Sequence, residues 1–141
     1  EMTVSALQAL KLKLPPHSIE AEAAVLGSLM LDNKAWEKVG DMINSSDFYK
    51  AEHKFIFQAI LRLLEQNKPA DVVTVFESLK SVDTDTNFGG IEYLNSLAQA
   101  SPSVLNIKGY AEIIRDQSIL RRLVSVSEEI SSLALNSNRR E

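Results

Sequence analysis

The sequence predicts an all-α fold, with a compact head of about five helices followed by one long projecting helix. Apolar residues recur at three- and four-residue spacing along most of the chain. No segment alternates apolar and polar residues over the length of a strand. "DVVTVFESL" comes nearest, but its leading aspartate and its spacing favour a helix. The last segment with almost no helix-breaking residue is roughly 32 residues long. As a helix it would measure about 48 Å, which exceeds the size of such a head.

The composition narrows the possible function classes. The chain has 141 residues, which suits one domain of ordinary size. It has no cysteine, which excludes a disulfide framework, a thiolate nucleophile and a zinc–thiolate site. Its apolar runs fall far short of the roughly 20 residues that span a bilayer, so no membrane segment is expected. The net charge of −4 argues against strong phosphate-driven DNA binding.

The head is expected to span residues 14–103. Residues 1–13 lack a clear cap or stop and are expected to form a tail, disordered in isolation. Pro15 and Pro16 force an extended entry, and Ser18 then supplies a good N-cap for the first helix.

The first helix carries two carboxylates, Glu20 and Glu22, in the turn where the macrodipole favours them. Its apolar stripe consists of Ile19, Ala23, Val25, Leu26, Leu29 and Met30. Gly27 lies inside the helix at a cost of about 1 kcal/mol relative to alanine. The sequence therefore predicts that another helix packs closely at Gly27.

The rest of the head is predicted as four further helices separated by polar breakers. Their expected ranges are 33–43, 51–66, 72–80 and 91–100, with Asp71 as the cap of the fourth and Gly89-Gly90 as the entry turn of the fifth.

Residues 104–141 are predicted to form the long helix and its truncated end, as the first arm of a helical hairpin. Residues near its start centre on one side and are expected to pack on the head: Ile107, Tyr110, Ile113 and Ile114. A second stripe centres on a different side: Ile119, Leu120, Leu123, Val124, Val126, Ile130 and Leu133. Two apolar faces on one helix indicate two packing partners, so we expect another helix to cover the second stripe. The alternative is that this stripe folds back onto the head.

The sequence shows no catalytic or metal-binding motif. No glycine precedes a Lys-Ser or Lys-Thr pair, which argues against a P-loop. Neither His17 nor His53 has a second histidine at metal-ligand spacing. A Ser/His/Asp site assembled through space stays open as an alternative, because such sites are defined by geometry.

The stretch "DFYKAEHKFIFQAILRLL" at 47–64 concentrates aromatic residues around His53. His53 precedes Phe57 by four residues, so it falls on the apolar face of its own helix. A histidine in that place usually packs in the core, with its ring N–H on a backbone carbonyl. Phe48 and Tyr49 are expected to fold back on the helix as a hydrophobic staple. We therefore assign Phe48, His53 and Phe57 to the structural core.

Four ordered segments resemble a known family: "LPPHSIEAEAAVLGSLMLDN" at 14–33, "DFYKAEHKFIF" at 47–57, "NKPADVVTVFESL" at 67–79 and "GGIEYLNSLAQASPSVLNIKGYAEIIRDQSILRRLV" at 89–124. Together they resemble the N-terminal domain of bacterial replicative DNA helicases of the DnaB type. The resemblance extends over most of the chain, from Leu14 to near Leu135.

The resemblance implies a non-catalytic assembly domain of a hexameric, cytoplasmic bacterial helicase. In that family six such domains form a collar, as a trimer of dimers, that docks the C-terminal domain of primase. ATP and Mg²⁺ are used by a RecA-like domain that follows, so no cofactor is expected in this chain. Because the chain ends before the second hairpin helix, we expect a monomer or a weak dimer. A helicase loader is a further implied partner.

The resemblance also implies site residues. The positions expected to contact primase are Tyr93, Arg121, Val124, Ile130 and Glu20. The positions expected to support self-association are Ile119, Leu120, Leu123, Val126 and Leu133. Each has a plainer alternative: Tyr93 packs in the head, Val124 and Ile130 fill the hairpin seam, and Arg121 is solvated. The alternative functions are a stand-alone enzyme and a helical DNA-binding domain acting through Arg121, Arg122, Arg139 and Arg140.

Overall fold

The computed structural model describes residues 14–82 and 88–138, and these residues form helices without any strand. The predicted all-α fold, a compact head with a long final helix, is confirmed. The six α-helices are α1 (Ile19–Leu31), α2 (Trp36–Val39), α3 (Ala51–Glu65), α4 (Val72–Val82), α5 (Gly90–Ala100) and α6 (Ile107–Asn138). The predicted tail and most of the polar loop before Phe88 lie outside the described residues.

Helix α1 is the central helix of the head and is buried along most of its length. The Ser18 side chain caps it by accepting a hydrogen bond of 3.2 Å from the Ala21 amide, as predicted. The predicted close approach at Gly27 is also confirmed, because a Cβ there would lie 2.1 Å from the carbonyl oxygen of Leu97 in α5. Only glycine lets these two helices touch.

The second predicted helix, over 33–43, is wrong in its extent. A 3-10 turn, Asn33–Ala35, leads into α2, which stops at Val39 after a single turn. The chain turns at Gly40, where a Cβ would lie only 2.9 Å from the Trp36 ring. Val39 and Ile43 are nevertheless both buried, so the expected apolar residues still lie in the core.

The core is centred on the aromatic residues of α3 and its approach. Phe48 and Phe57 are buried, with ring centroids 4.8 Å apart, and Trp36 lies 5.8 Å from Phe57. Phe48 thus packs against the helix as predicted for a staple. Tyr49 does not, because its ring stacks on His17 at 4.3 Å.

Helices α4 and α5 complete the head. The Asp71 side chain accepts a hydrogen bond of 2.9 Å from the Thr74 amide and so caps α4 as predicted. Gly89, before α5, has φ +89°, the left-handed region that glycine adopts without a steric penalty. The entry turn predicted at Gly89-Gly90 is therefore present.

Helix α6 contains 32 residues and is about 48 Å long. Its buried residues, at alternating spacings of four and three, are Ile107, Ala111, Ile114 and Ser118. Ile113 packs on the head only in part: it is 43% exposed and lines a groove beside α1. It precedes Ile114 by one residue and therefore points about 100° away.

Residues 122–138 are all exposed, and we call them the projecting half of α6. The alternative in which the second apolar stripe folds back on the head is therefore excluded. Within the part of the chain that the structure describes, no helix has the length and apolar character needed to cross a membrane.

Candidate partner-binding surface

The projecting half of α6, with the two residues before Arg121, carries an apolar stripe that nothing in the described chain covers. Its members are between 41% and 61% exposed: Ile119, Leu120, Leu123, Val124, Val126, Ile130, Leu133 and Leu135. Five of them follow alternating spacings of four and three residues: Ile119, Leu123, Val126, Ile130 and Leu133. We call these five the seam. This spacing is the heptad pattern with which one helix packs against another.

Tyr93 of α5 lies at the edge of the head, half-buried. Its hydroxyl oxygen is 2.6 Å from His53 Nε2 and accepts a hydrogen bond of 3.1 Å from Lys50 Nζ. The same Lys50 nitrogen is 4.6 Å from the Tyr93 ring centroid. Tyr93 is thus held on one side by the core and is partly exposed on the other. That it contacts primase stays a prediction.

Behind Tyr93 lies a buried carboxylate that the sequence analysis missed as a functional group. Glu22 is 1% exposed, and its oxygens accept hydrogen bonds from the backbone amides of Tyr49 at 2.7 Å and Lys50 at 3.3 Å. It also lies 2.7 Å from His53 Nδ1. Glu22 therefore caps the start of α3 from across the head, where Lys50 provides no side-chain cap.

His53 connects Glu22 to Tyr93 inside the head. It is fully buried, as expected for a core residue, but the predicted partner for its ring, a backbone carbonyl, is wrong. Since a carboxylate only accepts, Nδ1 donates to Glu22, and Nε2 lies 2.6 Å from the Tyr93 hydroxyl oxygen. Glu22 and His53 are thus hydrogen-bonded to each other inside the head, where both side chains are buried.

A signal for this arrangement was present in the sequence. Glu22 sits between Ala21 and Ala24 on a helix whose other positions are mostly apolar, and His53 lies on the apolar face of a second helix. Two polar groups assigned to one core need partners, and each is the obvious partner of the other.

Arg121 is half-buried and hydrogen-bonded to the head. Its guanidinium donates to the carbonyl oxygens of Pro16 at 2.8 Å and Asp47 at 2.6 Å, and its central carbon is 5.5 Å from the Tyr49 ring centroid. Of the other arginines proposed for DNA binding, Arg122 is exposed, whereas Arg139 and Arg140 lie outside the described residues.

Glu20, the remaining residue expected to contact primase, is exposed in the first turn of α1. It lines a groove of about 200 Å³ whose other walls include Ala24, Tyr110 and Ile113. The structure therefore groups Glu20 with the base of α6, and Val124 and Ile130 with its projecting half. Among the described residues, no group of three or more His, Asp or Glu side chains is arranged to hold a metal ion.

Comparison with known proteins decides the family. Residues 14–116 match the family model described as the DnaB-like helicase N terminal domain. The chain belongs to this family. The resemblance predicted from the sequence is thereby confirmed.

Curated relatives of this DnaB-like domain are replicative helicases. The chain is 43% identical over 118 residues to "Replicative DNA helicase DnaB" of Pasteurella multocida, covering 84% of this chain and 25% of that protein. It is 40% identical over 119 residues to the protein of the same name from Geobacillus stearothermophilus, covering 84% and 26%. The chain thus spans about a quarter of the length of the curated relatives it matches.

Solved DnaB domains share its fold. The N-terminal domain of DnaB helicase from Mycobacterium tuberculosis superimposes with a TM-score of 0.86 at 31% identity, covering 91% of both chains. The corresponding domain from Helicobacter pylori gives a TM-score of 0.71 at 27% identity, covering 95% of this chain and 98% of that one. The Helicobacter structure was described together with that domain's interactions with primase.

Proposed function

We propose that the chain is the assembly and docking domain of a bacterial replicative DNA helicase. The observation that carries this proposal is the uncovered seam on a helix that leaves the head. The whole protein would be an ATP-dependent helicase of the bacterial cytoplasm, with ATP and Mg²⁺ bound in a further domain. This domain would contribute contacts to sister subunits, to primase and to a helicase loader.

The seam supports the assembly part of the proposal. Five large aliphatic side chains at heptad spacing fit the groove of a second helix, and their exposure would otherwise be unfavourable. In the whole protein, a second hairpin helix and a sister subunit would cover the seam and its neighbour Leu120. This arrangement matches a hexamer built as a trimer of dimers. The chain alone would be a monomer or a weak dimer.

We predict weak self-association through the seam. Sedimentation across a concentration series is expected to show a mass that rises with concentration, and Leu123→Ser is expected to remove the rise by placing a hydroxyl in the contact. The matched control is Leu105→Ser, since Leu105 is 85% exposed but lies outside the seam. A tight hexamer of the chain alone, or equal effects of the two substitutions, would contradict this prediction.

Primase docking would use three kinds of side chain, carried by the head and by the long helix. Tyr93 presents an aromatic ring beside the cation of Lys50. Val124 adds aliphatic area on the projecting half, and Glu20 adds a charge beside the base of α6. Ile130, the other aliphatic position expected to contact primase, belongs to the seam and would serve assembly in this proposal. Aromatic anchors with aliphatic neighbours and a charged rim are typical of binding hot spots. The Helicobacter domain's interactions with primase support the same partner here.

The docking proposal is tested by titrating the chain with a primase C-terminal domain in a calorimeter. Tyr93→Ala is expected to weaken binding roughly 30-fold, as removal of a hot-spot aromatic costs about 2 kcal/mol. Tyr93→Phe keeps the ring and is expected to retain most of the affinity. Phe55→Ala is the control, since Phe55 is an exposed aromatic on a different part of the head. Absence of binding by the parent chain would remove the docking proposal.

A further inference from the structure

The last contacts between α6 and the head form a small polar cluster, which we call the joint: Pro16, Asp47, Tyr49, Ser118 and Arg121. Arg121 bridges two backbone carbonyls of the head, those of Pro16 and Asp47. One turn earlier, Ser118 Oγ donates to the Asp47 carboxylate at 2.8 Å. Helix α6 is therefore tied at two successive turns to one point of the head and, through Pro16, to the segment that enters α1.

The head side of the joint is itself held in place. Asp47 accepts a hydrogen bond of 2.9 Å from the Asn44 amide with its second carboxylate oxygen, closing a capping box. Tyr49 stacks on His17, and its backbone amide donates to buried Glu22. Asp47 and Tyr49 are thus held by contacts other than those with Arg121.

The joint lies at the boundary between supported and unsupported helix. Ser118 is the last buried residue of α6, Arg121 is half-buried, and residues 122–138 are all exposed. A planar guanidinium donates in fixed directions, so bridging two carbonyls restricts rotation as well as separation. A lysine or a neutral side chain could not impose both restrictions in the same way.

We propose that Arg121 is a positioning residue, which sets the direction of the projecting half relative to the head. It thereby holds Val124 in one arrangement with Tyr93. Its use in primase docking rests on the proposed function, whereas the direction of the helix does not. The role differs from the one implied by the resemblance, in which Arg121 contacts primase itself.

The experiment measures the direction of the helix. The chain has no cysteine, so cysteines introduced at Glu65 on α3 and Ser132 on the projecting half provide unique sites for spin labels. The distance between the labels is measured by pulsed electron paramagnetic resonance, in protein diluted with unlabelled chain to suppress signals between molecules. The parent is expected to give one narrow distribution. Arg121→Met, which removes the donors and keeps an unbranched stem, is expected to broaden it roughly two-fold.

Three further variants identify which contact is responsible for any broadening. Arg122→Met is the matched control, since it makes the same change on an exposed neighbour and is expected to leave the distribution unchanged. Arg121→Lys keeps the charge but loses the two-nitrogen fork and is expected to give an intermediate width. Ser118→Ala removes the other tie and is expected to broaden the distribution by itself. Helix content is followed by circular dichroism, so that local release is distinguished from unfolding.

The positioning role of Arg121 and the docking proposal can fail independently of each other. Unchanged distances in folded Arg121→Met would overturn the positioning role, and a loss of primase binding in that same variant would then assign Arg121 to direct contact. Broadened distances support the role. If distances broaden while the parent chain does not bind primase, the docking proposal fails and the joint stands.

Discussion

Replacing Glu22 with alanine is expected to lower the free energy of unfolding by about 3–5 kcal/mol, the usual result of removing one member of a buried polar pair. The substitution leaves His53 Nδ1 without its acceptor inside the core. It also releases the amides of Tyr49 and Lys50, which lie immediately before α3. Glu22→Gln is expected to be destabilising too, because the amide group can accept at only one of its two ends.

Urea denaturation followed by far-ultraviolet circular dichroism measures this loss. The matched control is Glu20→Ala, in the same turn of α1 but exposed, which is expected to change stability by no more than about 1 kcal/mol. Similar losses from both substitutions would show that general charge at the helix start, and not the buried contacts of Glu22, stabilises the head.

Replacing Gly27 with alanine is the second large effect, an expected loss of about 2–4 kcal/mol from overpacking, even though alanine favours helices. The new methyl would lie 2.1 Å from Leu97 O and 3.1 Å from Ser101 Cβ. The first of these atoms belongs to the backbone, so no side-chain rotation relieves the clash. Helices α1 and α5 would have to separate, with loss of packing on both sides of the contact.

Thermal unfolding of Gly27→Ala alongside Gly109→Ala tests this explanation. Gly109 is also helical, but a Cβ there meets the end of the Asn106 side chain at 2.8 Å, which can swing away. Gly109→Ala is therefore expected to be neutral, or stabilising by about 0.5–1 kcal/mol. A Gly27→Ala protein as stable as the parent would mean that the contact between α1 and α5 is not as close as described.

The parts of the fold that depend on neighbouring residues were predictable from the sequence. Ser18 and Asp71 cap helices through amides three residues later, and this pattern is local. The heptad spacing of the exposed seam lies within a single helix, so it was also predictable from the sequence. The excess length of α6 follows from a count of residues without a breaker.

The parts that sequence reasoning missed are contacts between distant segments. Glu22 and His53 are separated by 31 positions, and Arg121 and Pro16 by 105. Composition and periodicity place such residues on a face but do not say which distant group meets them. The same limit applies to α2, whose early end at Val39 was not predicted from the local pattern.

The geometry of the last helix turns small angles into large movements. From Arg122 to Asn138 the rod extends about 25 Å at 1.5 Å per residue, so a swing of about 10° at its root displaces its tip by about 4 Å. That displacement approaches the optimal separation of two touching carbon atoms, and contacts at the tip are lost when it occurs. The affinity of any partner that binds the tip of α6 therefore depends on the few hydrogen bonds that hold the helix at Ser118 and Arg121.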